Sequence, residues 1–219
     1  MSKDVLRKFV PDFLLKQRDI VIRLGPAGRA YASLRWRDAL GIRTSSRRLV
    51  PPSARSFLFV CSGNIMRSAM AEFLMRQALK EARLEGTVRI ISAGLHASVG
   101  REAHPWAQEA SADIGIALAE HRAKLLTREM MEQADCIFAM DFQNKAELLT
   151  LHPGMQNKIY MLGAYAEGAW RYREIPDPYL GDLDTTRFCA RQLQTCIRNL
   201  MISIFPSSVR SAKQSVGGR

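Results

Sequence analysis

From residue 71 the apolar positions fall at Ala71, Leu74, Met75, Ala78, Leu79 and Ala82, at intervals of three and four. That spacing lays one apolar stripe along a helix. Just before it, "FLFV" (57–60) is a short unbroken apolar run, the pattern of a strand buried on both faces. The same alternation continues downstream. "VRIIS" (88–92), "CIFAM" (136–140) and "KIYML" (158–162) are predicted strands. Residues 105–116, 127–134 and 142–151 are predicted helices, the last capped by Asp141. A loop rich in Gly, Trp, Tyr and Pro spans 163–183. A final helix then starts near Asp184, its apolar face carrying Cys189, Leu193, Cys196, Ile197, Leu200 and Ile204. Strand–helix alternation of this kind predicts an α/β fold with a parallel sheet covered by helices on both faces.

Residues 1–55 carry a different pattern. Residues 11–24 and 26–40 have helical spacing, separated by Gly25-Pro26, and suggest a small helical hairpin. "TSSRRLVPPSAR" (44–55) has the polar, proline-containing composition of a linker. Three regions are therefore expected: a basic helical extension and linker (1–55), an α/β domain (56–205), and a disordered tail (206–219).

Charge sharpens that division. Residues 1–55 hold 13 of the 32 Lys+Arg and 4 of the 21 Asp+Glu, a net of +9, whereas residues 56–219 are nearly balanced. Packing of the helical hairpin against the rest of the chain is one expectation for this segment; a basic segment beside apolar helix faces also permits contact with anionic lipid or an acidic partner. No nucleic-acid module is visible in it. No apolar run approaches the roughly 18–20 residues of a membrane span. Four cysteines without close pairs make neither a disulfide framework nor a zinc site. A cytoplasmic location is the expectation, with a peripheral position at the inner face of the membrane as a variant of it.

The chemistry lies between the first strand and its helix, in "CSGNIMRS" (61–68). Gly63 allows a tight turn and Asn64 tolerates a left-handed backbone. Such a loop aims N–H groups inward, and the following helix N-terminus adds positive potential. Arg67 supplies a planar fork matched to two phosphate oxygens. Cys61 sits at the mouth of this field, which stabilises the nucleophilic thiolate. Cys-x5-Arg in this context suits attack on a bound phosphate monoester. No metal or other cofactor is needed, because amides and arginine hold the oxygens.

The stretch "VCSGNIMRSAMAE" (60–72) resembles the low-molecular-weight protein tyrosine phosphatases, especially the bacterial branch. "SAG" (92–94), "MDFQN" (140–144) and "DPY" (177–179) agree in order, and the resemblance covers about residues 56–205. It implies a doubly wound four-stranded parallel sheet and hydrolysis through a phosphocysteine. It implies Cys61 as nucleophile, Arg67 with the loop residues Ser62, Gly63, Asn64, Ile65 and Met66 as phosphate binders, and Asp177 as the acid that protonates the leaving phenolate. Ser68 would hydrogen-bond the thiolate, Tyr179 would line the substrate entrance, and Asn64, Ser92 and His121 would support the loop. The implied substrate is a phosphotyrosine protein, and bacterial relatives often oppose a tyrosine kinase of exopolysaccharide production.

Departures from the family pattern carry information. Met66 stands where many relatives have a second, protective cysteine. Ile65 stands where protein arginine phosphatases of the same fold tend to have threonine, which favours phosphotyrosine. Arsenate reductases share the loop but need redox cysteines. Cys189 and Cys196 have the spacing of core residues on the last helix instead. A non-catalytic phosphate-binding module is the remaining alternative, opposed by the joint presence of Cys61, Arg67 and Asp177.

Overall fold

The computed structural model describes residues 12–42, 50–168 and 174–208. Of the tail expected to be disordered (206–219), residues 206–208 are described and helical; the rest of it, and the first part of the predicted linker, lie outside the described residues. A four-stranded parallel sheet forms the centre, with β1 (Ser56–Cys61), β2 (Arg89–Gly94), β3 (Cys136–Ala139) and β4 (Ile159–Met161) in the order β2-β1-β3-β4. The chain steps from β1 to β2 on one side, then crosses back to β3 on the other. The reversal opens a crevice at the carboxyl end of β1, where doubly wound sheets bind ligands.

Alternation along the strands sends side chains to two cores. Phe57, Phe59, Cys61, Ile90, Phe138 and Tyr160 face α3 (Arg67–Glu81), α4 (Pro105–Ala112) and α7 (Leu183–Ile204). Phe59 and Phe138 stack there with ring centroids 5.3 Å apart. Leu58, Val60, Ile137, Ala139, Ile159 and Met161 face α5 (Arg128–Gln133) and α6 (Phe142–Leu151).

The second core is closed by the N-terminal helices. α1 (Asp12–Arg23) and α2 (Gly28–Ala39) form the predicted hairpin, joined by a 3-10 turn at Gly25–Ala27. Gly25 takes the positive φ of 51° that lets the chain reverse. The two helices cross tightly, since a Cβ on Gly28 would lie 2.4 Å from the Val21 carbonyl oxygen. Ala27 and Tyr31 are buried in the same cluster as Phe142, Ala146 and Leu148. The hairpin thus lies on α6. The end of the predicted linker is also part of the fold: Val50 and Ala54 are buried in the first core, and the Arg55 amide donates to Asp135.

Some boundaries differ from the sequence reading. The helix expected over 105–116 stops at Ala112, because Gly115 takes a φ of 79°. The last helix begins at Leu183, capped by Asp182, whose carboxylate accepts from the Thr185 amide at 2.8 Å.

Candidate active site

The sequence 61–68 folds as a turn from the end of β1 into α3. Its backbone is held from outside. Ser62 O accepts from the His96 amide, and Ile65 O accepts from the His104 amide. Gly94 at the end of β2 packs against it so closely that a Cβ would lie 2.6 Å from Ser62 O and 2.8 Å from Asn64 N.

Cys61 Sγ lies at the base of the loop, buried, 3.0 Å from Ser68 Oγ and 3.3 Å from the Asn64 amide, which donates to it. Asn64 has a φ of 53° and is fully buried. Its Nδ2 donates to Ser68 Oγ (2.9 Å) and Ser92 Oγ (2.8 Å), and its Oδ1 accepts from the Lys124 amide at 2.8 Å. Its carbonyl accepts from His121 Nε2 at 2.6 Å. A neutral His121 makes that bond, and burial pushes the imidazole below its ordinary range, outweighing the Asn64 carbonyl. Ser92 Oγ in turn donates to Glu72, whose other oxygen accepts the Arg76 fork. Asn64 and Ser68, expected among the substrate-binding residues, are therefore built into the underside of the loop and do not line the cleft.

Arg67 is 2% exposed. Nη1 donates to Asp141 and to Ile175 O (3.0 Å), and Nη2 donates to Asp177 at 2.6 Å. Burial alone would lower its pKa, but Asp141, Asp177 and Cys61 together raise it. It is a permanent cation. Its Nε is buried with no hydrogen-bond partner among the described residues. Asp141 serves twice, since its other oxygen caps α6 through the Asn144 amide.

These groups converge on a cleft of about 210 Å³ lined by Cys61, Ser62, Gly63, Ile65, Met66, Arg67, Arg101, Asp177 and Tyr179. Cys61, Arg67, Asp177 and Tyr179, scattered over 119 positions of sequence, thus share one wall-to-wall site. Tyr179 meets His104 edge to face at 5.9 Å, and His104 meets Trp106 at 5.0 Å. This ring contact behind Tyr179 was not evident in the sequence. The signal available was His104-Pro105, a helix-start pair: the His104 ring accepts from the Trp106 amide as the cap of α4. Arg101 and Glu72 were missed as well, and nothing in the local sequence marks them.

Cys189 and Cys196 are buried in the core, and burial pushes both thiols up to about 12. That keeps them protonated and is contrary to redox exchange.

Known proteins share this architecture. A protein from Ralstonia nicotianae described as a probable low molecular weight protein-tyrosine-phosphatase, EpsP, is 39% identical over 125 residues, 57% of this chain and 79% of that protein. A protein-arginine-phosphatase of Bacillus subtilis is 35% identical over 143 residues, 65% of this chain and 92% of its own. The crystal structure of the Erwinia amylovora tyrosine phosphatase AmsI superposes with a TM-score of 0.61 at 29% identity, covering 68% of this chain and 91% of that one. Residues 56–214 match the family described as low molecular weight phosphotyrosine protein phosphatase, and the chain belongs to that family.

Proposed function

We propose that the protein hydrolyses phosphotyrosine in proteins through a phosphocysteine at Cys61. One observation carries the reading: the sulfur, the Arg67 guanidinium and the Asp177 carboxyl face a single cleft. The loop amides and the unpaired Nε of Arg67 provide donors for phosphate oxygens. Cys61 Sγ attacks phosphorus, and the bond to the phenolic oxygen breaks. Asp177, in its acid form, gives that oxygen its proton. Asp177 then takes a proton from water as the water attacks the phosphocysteine, releasing phosphate and the thiolate. Ser68 Oγ and the Asn64 amide, both within bonding distance of Sγ, stabilise the departing sulfur.

The arginine phosphatase among the relatives makes phosphoarginine the competing substrate. Two features of the cleft oppose it. Ile65 presents an apolar wall, and Arg101 places a cation at a site where a phosphoarginine guanidinium would be repelled. A tyrosine kinase that phosphorylates itself is a substrate of the expected class.

The test compares phosphotyrosine peptide, phosphoarginine and p-nitrophenyl phosphate with the wild type, Cys61→Ser and Asp177→Ala. Wild-type turnover of phosphotyrosine, none with Cys61→Ser, and a fall of about 10²-fold or more with Asp177→Ala are expected. Turnover retained by Cys61→Ser, or a preference for phosphoarginine, refutes the assignment.

The exposed side chains of Ile22, Trp36 and Leu40 stand on the basic N-terminal region. That combination supports peripheral contact with an anionic bilayer. Among the described residues no helix is long and apolar enough to cross a membrane. Salt-sensitive sedimentation with anionic vesicles, lost in Trp36→Ala/Leu40→Ala, is the expected result. Equal sedimentation of both proteins counts against it.

A further inference from the structure

The acid-bearing segment is tied to the N-terminal hairpin. Glu174 lies three residues before Asp177 and uses both carboxylate oxygens. Oε2 accepts from Arg35 Nη1 at 2.6 Å, and Oε1 accepts from the Phe142 amide at 2.7 Å. Arg35 belongs to α2, and its guanidinium also lies over the Phe142 ring, 5.8 Å from the centroid. Phe142 is the first residue of α6 and follows Asp141, the partner of Arg67. Immediately after Glu174, the Ile175 amide donates to Met140 O, and Ile175 O accepts from Arg67. A continuous path therefore runs from Arg35 through Glu174 and Ile175 to Asp177, with Pro176 stiffening its last step. A second contact pins the hairpin at the same place, since Arg23 donates to Gln143 at 3.0 Å.

We propose that the N-terminal hairpin is a positioning element for catalysis, and that Arg35, acting through Glu174, sets where the Asp177 carboxyl stands. This rests on the phosphatase reading above. Arg35 and Glu174 are about one quarter exposed, so breaking the pair leaves a mostly buried charge and costs some stability; that loss is separate from its effect on position. Position is what it controls. A shift of about 1 Å in a proton donor can cost up to about a hundredfold in rate. The cost falls only on substrates that need the proton. Phenolate is a poor leaving group and requires it, whereas dinitrophenolate leaves without help.

The experiment measures kcat/KM of the full chain on phenyl phosphate and on 2,4-dinitrophenyl phosphate, for wild type, Arg35→Ala, Arg35→Lys and Glu174→Gln. The ratio of the two values is independent of the fraction of enzyme that is folded. Arg35→Ala and Glu174→Gln should lower kcat/KM on phenyl phosphate about tenfold and on dinitrophenyl phosphate less than about twofold. Arg35→Lys, which keeps the ion pair, should recover most of the loss. In an Asp177→Ala background, Arg35→Ala should leave the ratio unchanged. An equal fall on both substrates, or no change on either, overturns the proposal while leaving the phosphatase reading intact. A wild type inactive on both substrates overturns that reading, and this inference with it.

Discussion

Replacing Asn64 by alanine and, separately, by glycine separates two contributions that one residue makes to the phosphate loop. The alanine variant removes Oδ1 and leaves the Lys124 amide without its acceptor. A buried orphan donor costs about 1–3 kcal/mol. Ser68 and Ser92 each lose the Nδ2 donor but keep another partner, Cys61 Sγ and Glu72 respectively. Those losses are about 0.5–1.5 kcal/mol each. The φ of 53° at Asn64 adds about 1 kcal/mol more for alanine, and nothing for glycine. Alanine should therefore cost about 5 kcal/mol and glycine about 4 kcal/mol. Urea unfolding at pH 7.5, analysed at constant m, measures both. Because the Asn64 amide also donates to Cys61 Sγ, kcat/KM on p-nitrophenyl phosphate should fall by about 10–100-fold in each. An alanine variant within about 0.5 kcal/mol of wild type, or a glycine variant no more stable than alanine, refutes the reasoning.

Two further outcomes follow from the same network. Gly94→Ala should cost about 3 kcal/mol or more, because the new Cβ meets two backbone atoms of the loop that cannot retreat; thermal melting checks it, and a normal melting temperature refutes it. His121 titrates lower in the folded chain than the roughly 6.5 of an unfolded histidine, so between those values the unfolded chain binds more protons. Its contribution is present above about pH 6.5 and is lost as pH falls through the folded value, so His121→Gln should flatten the melting temperature between about pH 7 and 5; parallel curves for the two proteins exclude it.

Much of the fold was legible because its signals are local. The apolar strand cores at 57–60 and 136–140 and the stripe from Ala71 to Ala82 all reappear in the structure at those places. A boundary moved where a single backbone choice mattered, as at Gly115, while the last helix starts at Leu183, one residue from the expected Asp184. The N-terminal hairpin was visible as two helices, but its seat on α6 was not. Amphipathic spacing states that a face is buried and is silent about what buries it.

The same distinction runs through the site. Cys61, Asn64, Arg67 and Ser68 sit within one short stretch of chain between a strand and a helix, so the sequence determined that they lie together, while contacts from His96, His104, His121 and Lys124 hold the loop in shape. The tertiary structure alone decided which groups from elsewhere complete it: Glu72 beneath Ser92, Arg101 on the cleft wall, His104 against Tyr179, Asp141 on Arg67, and Arg35 on Glu174. Those pairs are set by how helices pack on the sheet, and hydrogen-bond distances of about 3 Å between residues up to 139 positions apart leave no periodic or local trace in the chain.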